Sequence, residues 1–227
     1  RGEFAILGGD WSPFFHDAID LFGMERFMTL MIDAPEVVDA ALDRMVDYYH
    51  EVSRRIFQAA RGAIDIFFIG NDFGTQMGPI VSEAMFRRFF LPRLARLIGL
   101  GHAFGLKVML HCCGGFAPLI PGMIEAGLDA LQSLQPDARG MDPAGLKRAY
   151  GSKIVLNGCI DTHHLLIRGT PDLVRRRVRE ILETMRPGGG FVASPSHDYL
   201  LPETSVANFL AMVETVRDFG AYPGGQR

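Results

Sequence analysis

A (β/α)8 TIM barrel is the α/β fold that this sequence predicts, and three observations lead to it. Short apolar runs alternate with longer amphipathic ones in a repeating strand-then-helix order, which implies parallel strands joined by right-handed crossovers. Polar, chemically able residues stand directly after several of the apolar runs: Asn71 and Asp72, His111 and Cys113, Gln135, Asn157 to Asp161, and Ser196 to Asp198. A barrel gathers such strand ends around one mouth. An open dinucleotide-binding sheet would instead carry a Gly-x-Gly-x-x-Gly turn from strand to helix. The Gly-rich stretch here, Pro187–Gly190, precedes its strand and reads as a helix-terminating turn.

Strands are expected at Phe4–Leu7, Ile64–Ile69, Val108–Cys112, Ala130–Leu134, Ile154–Leu156 and Phe191–Ala193, each a short apolar run rich in branched or aromatic residues. Helices are expected at Pro35–Ala60, Ser82–Phe104, Phe116–Ala126, Pro143–Tyr150, Pro171–Met185 and Thr204–Phe219, three of them with Pro at the start. Six strand candidates stand where a closed barrel needs eight, and the chain opens without Met. Near that opening, Asp10-Trp-Ser-Pro-Phe-Phe-His16 reads as an aromatic loop that forms a substrate wall, a subunit contact or core packing.

With 227 residues, 48% of them hydrophobic and 22% charged, the chain is long enough to bury one large core, and a single domain is expected over 1–227. A net charge of -3 gives no electrostatic reason to expect nucleic acid or an anionic membrane surface as partner. No apolar run is long enough to span a bilayer, and the start Arg1-Gly-Glu-Phe-Ala-Ile-Leu lacks the basic-then-apolar order of a signal peptide. Three cysteines, two of them adjacent, make a poor disulfide framework, so reduced thiols and a cytoplasmic location are expected.

The densest chemistry lies in Leu106-Lys-Val-Met-Leu-His-Cys-Cys-Gly-Gly115. Side chains alternate faces along a strand, so His111 and Cys113 point one way and Cys112 the other. Imidazole nitrogen and thiolate sulfur on one rigid strand end form half of a tetrahedral zinc site. The competing reading is a strand end with buried, inert thiols.

His111-Cys-Cys-Gly114, Asn157-Gly-Cys-Ile-Asp161, the Gly-rich turn before Phe191 and Pro202-Glu-Thr-Ser-Val-Ala-Asn208 resemble, in this order, the landmarks of the uroporphyrinogen decarboxylase superfamily. The resemblance runs from about residue 30 to the end. It implies a (β/α)8 barrel whose N-terminal strands precede this chain. It also implies one of two chemistries: decarboxylation of a tetrapyrrole without metal, or zinc-dependent methyl transfer between a corrinoid and a thiol. The superfamily's methyltransferases hold zinc with His-x-Cys from a middle strand and a Cys after the last strand. His111 and Cys113 match the first two places, and His197 stands in the third, where zinc accepts His/Cys/His with water or substrate as a fourth ligand.

The leading expectation is therefore a zinc-dependent methyltransferase. His111, Cys113 and His197 hold the metal, Asp72 and His197 are catalytic, and Asn71, Gln76, Gln135 and Asp161 bind substrate. The methyl donor is a corrinoid protein or a small molecule, and the acceptor is a thiol. In the alternative, His197 and Asp72 serve a metal-free decarboxylation; the pocket for it must be rich in Arg, whereas Arg87, Arg88 and Arg93 lie on a helix. A third reading is a catalytically silent barrel that binds a corrinoid or tetrapyrrole or docks a subunit. If residues 1–227 are the whole protein, the barrel stays open, exposes apolar edges and favours a homodimer.

Several residues keep two readings. Asp72 either contacts substrate or caps the turn after it. Asp161 either caps the next helix or lines the mouth. Cys159 is a small buried thiol or a spare ligand. His163 and His164 are neighbours in sequence and read as structural or peripheral.

Overall fold

The computed structural model describes residues 4–222; the Arg1–Glu3 part of the start and residues 223–227 lie outside the described residues. Strand β1 (Leu7–Gly8) is shorter than the expected Phe4–Leu7 run, sharing only Leu7 with it and ending one residue later. Where the sequence reads as an aromatic loop, two helices follow: α1 (Phe14–Phe22) and α2 (Met24–Asp33). Phe14, Phe15 and Ala18 form the buried face of α1, and Gly23 at φ 79° separates the two helices. Helix α3 (Pro35–Ala60) keeps its expected bounds and buries Val38, Leu42, Val46, Ser53 and Phe57, a stripe at three- and four-residue spacing.

Strand β2 (Ile66–Gly70) leads to a small antiparallel hairpin, β3 (Gly74–Thr75) with β4 (Gly78–Pro79). The helix expected at Ser82–Phe104 is interrupted. It comprises α4 (Glu83–Met85), a π-helical turn at Phe86–Phe90, and α5 (Leu91–Ala103). Pro92 has no N–H to give to a carbonyl four residues back, and just before it the Leu91 N–H donates five residues back to Phe86. Strand β5 (Lys107–His111) follows, then a 3₁₀ turn at Ala117–Leu119 and α6 (Ile120–Glu125), a helix again broken up around prolines, Pro118 and Pro121.

The remaining strands are β6 (Ala130–Leu134), β7 (Val155–Ile160) and β8 (Phe191–Pro195), separated by helices α7 (Pro143–Tyr150) and α8 (Pro171–Met185) and closed by α9 (Val206–Phe219). A π-helical turn, Thr162–Ile167, leaves β7. The parallel strands take the order β1-β2-β5 in one part of the chain and β6-β7-β8 in the other.

The chain divides into two compact units. The first is the chain up to Phe73 with Ile80–Cys112 and Pro118–Ala130; the second is Gly74–Pro79, Cys113–Ala117 and the chain from Leu131 onward. In the first unit β1 pairs parallel with β2, and β2 with β5, in a register that sets Gly70 opposite His111. Its core is aromatic: Phe15, Phe27, Phe73, Phe86 and Phe90 are all fully buried, and Phe15 packs edge-on against Phe90 and stacks on Phe73. In the second unit β7 pairs parallel with β8, and Asn208 of α9 donates from Nδ2 to the carbonyls of Leu166 and Gly169, tying that helix to the turn after β7. No described helix is long and apolar enough to cross a membrane.

Asn71 fixes the entry to α1. It is fully buried, its Oδ1 accepts from Phe15 N at 2.9 Å, and its Nδ2 donates to Ser12 O at 3.0 Å. Asn71→Leu leaves both backbone groups unsatisfied in the interior and is expected to lower stability by about 2–4 kcal/mol. Urea unfolding checks this; a loss no larger than that of an exposed substitution would contradict it.

Candidate functional site

The register of β2 and β5 sets the centre of the candidate site. Because Gly70 lies opposite His111, the chain leaving β2 runs beside the end of β5, and Asn71 N donates to His111 O at 3.0 Å. Asp72 is the next residue. Its Oδ1 lies 3.4 Å from His111 Nε2, and its Oδ2 lies 3.3 Å from His16 Nε2 on α1. One carboxylate thus faces two imidazoles, that of buried His111 and that of half-buried His16. Trp11 forms a wall here: its ring centroid is 5.3 Å from that of His111 and 5.0 Å from that of Phe68. Gly70 makes this approach feasible, since a Cβ at that position would stand 2.0 Å from the indole of Trp11.

Strand β5 ends at His111, so Cys112 and Cys113 belong to the turn beyond it. The expected alternation nevertheless holds. Cys112 is fully buried and its Sγ accepts from Phe73 N at 3.3 Å. Cys113, the first residue of its segment in the second unit, is partly exposed. Within the first unit, imidazole and carboxylate stand together, and a thiol two residues after His111 is a donor type that zinc also accepts.

The turn that carries Cys113 is held within the second unit. Gly114 has φ +81°, and a Cβ there would meet the Gly74 carbonyl carbon at 2.7 Å, so the β3–β4 hairpin lies directly against it. Gly115 N donates to Thr75 O at 2.7 Å. Gln135 is buried, and its Oε1 accepts from Gly114 N at 2.9 Å and from Gln76 Nε2 at 3.1 Å.

Asn71 commits its amide to backbone groups, as described above, which gives it a structural task in place of substrate binding. Asp161 caps the π-helical turn, its Oδ1 accepting from His164 N at 2.7 Å. Asp161, His164 and Asp137 also bring ligand atoms within 4.8 Å of one another, and His163 Nδ1 lies 3.6 Å from Asp137 Oδ2, so both adjacent histidines face the same carboxylate. His197 follows β8, and its Nδ1 accepts from Tyr199 N at 3.1 Å. A neutral ring accepting at Nδ1 carries its proton on Nε2, which suits hydrogen-bond donation. No motif marks His16. The signal that places it is the apolar spacing of Phe14, Phe15, Ala18 and Phe22, which puts the residue on a helix beside the Asp72 loop.

The fold is an α/β one of the TIM-barrel type, with an imidazole and a carboxylate together at its strand ends. Residues 2–219 match the family model described as uroporphyrinogen decarboxylase, and the chain belongs to that family. A uroporphyrinogen decarboxylase from Syntrophotalea carbinolica is 26% identical over 224 residues, which cover 95% of this chain and 60% of that protein. A methylated-thiol–coenzyme M methyltransferase from Methanosarcina mazei is 26% identical over 163 residues, 70% of this chain and 40% of that protein. Among solved structures, a methyltransferase from Methanosarcina mazei superposes with a TM-score of 0.75 at 23% identity, over 97% of this chain and 60% of that one. The chain thus spans about 60% or less of the length of these relatives.

The three thiols differ sharply in environment. Cys112 and Cys159 are buried, and burial, with the Asp142 carboxylate adding to it, pushes the Cys159 thiol up to about 12. Cys159 is therefore a protonated, inert thiol at neutral pH. Metal-free native protein treated with a thiol-directed disulfide reagent at mildly alkaline pH is expected to show a single fast-reacting cysteine, absent in Cys113→Ser. Fast labelling of Cys159, located by peptide mass spectrometry, would contradict the assignment.

Proposed function

We propose that this chain is the metal-holding part of a zinc-dependent methyltransferase that moves a methyl group between a corrinoid and a thiol. The observation that carries the reading is the Asp72 carboxylate 3.4 Å from His111 Nε2 at the end of β5, with Cys113 two residues further along the chain, so that one soft, one borderline and one hard donor stand at one strand end. The relative named a methylated-thiol–coenzyme M methyltransferase supports the same reaction class.

In this reading His111 and Cys113 hold zinc with Asp72 as the third ligand, and the metal supplies the Lewis acidity that keeps a bound thiol as thiolate at neutral pH. His16, opposite the second oxygen of Asp72, orients that carboxylate, and the proton lost by the acceptor thiol would pass over Asp72 Oδ2 to His16 and from its half-exposed ring to solvent. Trp11 covers His111 and keeps water from one side of the site. His197, with its proton on Nε2, donates a hydrogen bond to the substrate. The methyl donor is a corrinoid, carried on a protein partner or free.

The metal-free decarboxylase reading is supported by relatives named uroporphyrinogen decarboxylase. The chemistry of gripping several substrate carboxylates calls for available guanidinium groups. The helical arginines are otherwise engaged: Arg87 binds Glu83 and Glu125, and buried Arg93 binds Asp39 and Asp43.

Protein purified without added metal is expected to contain about one zinc per chain, held by the set that includes a thiol and not by Asp137, Asp161 and His164, which offer no sulfur. Elemental mass spectrometry should find that content sharply reduced in Cys113→Ser and Asp72→Ala and unchanged in Cys112→Ser. Retention of zinc by His197→Ala supports the ligand set with Asp72; its loss there restores His197 as a ligand. Absence of metal from the wild type, together with decarboxylation of a porphyrinogen by the same preparation, would replace the reading with the decarboxylase one.

A further inference from the structure

We infer that Gln135 is the positioning residue of the metal site: its side-chain carbonyl fixes the Cys113–Gly115 turn so that the Cys113 thiolate is aimed before any metal arrives. The inference rests on the zinc reading above and assigns Gln135 a task different from substrate binding.

Gln135 is the first residue past β6 and is only 5% exposed, so its amide is set by the strand behind it. Its Oε1 accepts two hydrogen bonds at once, from Gly114 N at 2.9 Å and from Gln76 Nε2 at 3.1 Å. A carbonyl oxygen has two acceptor sites, and here both are used within the protein. The Gly114 N–H belongs to the peptide that joins Cys113 to Gly114, so the bond to Gln135 fixes the plane of the unit directly attached to the Cys113 Cα. Gln76 is itself anchored, since its carbonyl accepts from Arg139 N at 2.9 Å. From the other side, the hairpin leaves no slack: a Cβ on Gly74 would stand 2.5 Å from the Cys113 carbonyl oxygen.

The geometry therefore forms a chain of constraint: Arg139 backbone, Gln76, Gln135, Gly114 amide, Cys113. No member of this chain other than Cys113 has to touch metal or substrate. Outer groups that orient a ligand in this way change metal affinity by about 10- to 100-fold when removed.

The test uses cobalt(II) as the probe, because a Cys thiolate bound to it gives a near-ultraviolet charge-transfer band that imidazole and carboxylate do not. The 227-residue chain is titrated as wild type, Gln135→Met, Gln135→Glu and Gln76→Ala, with the thermal unfolding midpoint recorded for each. Gln135→Met conserves volume and removes the acceptor. It is expected to weaken cobalt affinity about tenfold or more and to diminish the thiolate band at saturation. Gln135→Glu keeps an oxygen for Gly114 N and is expected to restore the band. Exposed Gln76→Ala frees one side of the Gln135 carbonyl and should shift affinity in the same direction by a smaller factor, and it remains informative if Gln135→Met does not fold.

A wild-type band of undiminished intensity and affinity in both Gln135→Met and Gln76→Ala would overturn the positioning role while leaving the metal site intact. No thiolate band in the wild type would overturn the metal reading itself, and the inference with it.

Discussion

The parallel register between β2 and β5 is the constraint on which the candidate site depends. Pairing Gly70 with His111 places the first residues after β2 alongside the last residue of β5, and the Asn71 N–H closes that arrangement on the His111 carbonyl. A slip of one residue would turn His111 to the opposite face of the sheet and carry Asp72 away from it. Two further features depend on the same pairing. Gly70 makes room for Trp11, and Asn71 anchors the entry to α1, the helix that presents His16 to Asp72. Backbone pairing, aromatic packing and the carboxylate between two imidazoles are consequences of one hydrogen-bond ladder.

The thiol side of the site depends on glycine. At Gly114 the backbone has φ +81°, and the hairpin at 74–79 approaches so closely that neither Gly74 nor Gly114 has space for a side chain. The His-Cys-Cys-Gly-Gly order thus has a physical explanation at each place. His111 and Cys113 supply donors, and Cys112 turns inward to accept from Phe73 N. The two glycines let the turn fold back under the hairpin. Gln135 then fixes by a hydrogen bond what the glycines permit.

Much of this is legible in the sequence, and the parts that are not have identifiable causes. Strand-then-helix alternation and the long periodic helices α3, α7 and α8 can be read with their bounds intact, because apolar spacing and N-terminal prolines mark them without ambiguity. The pairing of His111 with Cys113 follows from alternation alone. Helices α1 and α2 are hidden because a tryptophan, a proline and two phenylalanines together look like a loop, although the Phe14, Phe15, Ala18 spacing is helical. The π-helical turn before Pro92 is a local response to a missing donor, and its position cannot be read from periodicity. His16 joins the site through a contact 56 residues distant in sequence, which no local pattern encodes. Gln135 is visible as a polar residue after a strand, but its orientation toward Gly114 depends on the fold of the hairpin.

The central claim is that Cys113 and His111 share a metal ion with an oxygen ligand. X-ray absorption at the zinc edge of the zinc-loaded protein tests it most directly. The account predicts a first shell with a single sulfur at about 2.3 Å and the remaining nitrogen and oxygen ligands at about 2.0–2.1 Å. A shell of nitrogen and oxygen alone would contradict it, because Cys113 would then stand outside the coordination sphere; so would a shell of two sulfurs, which would require Cys112 or Cys159 to leave its buried position.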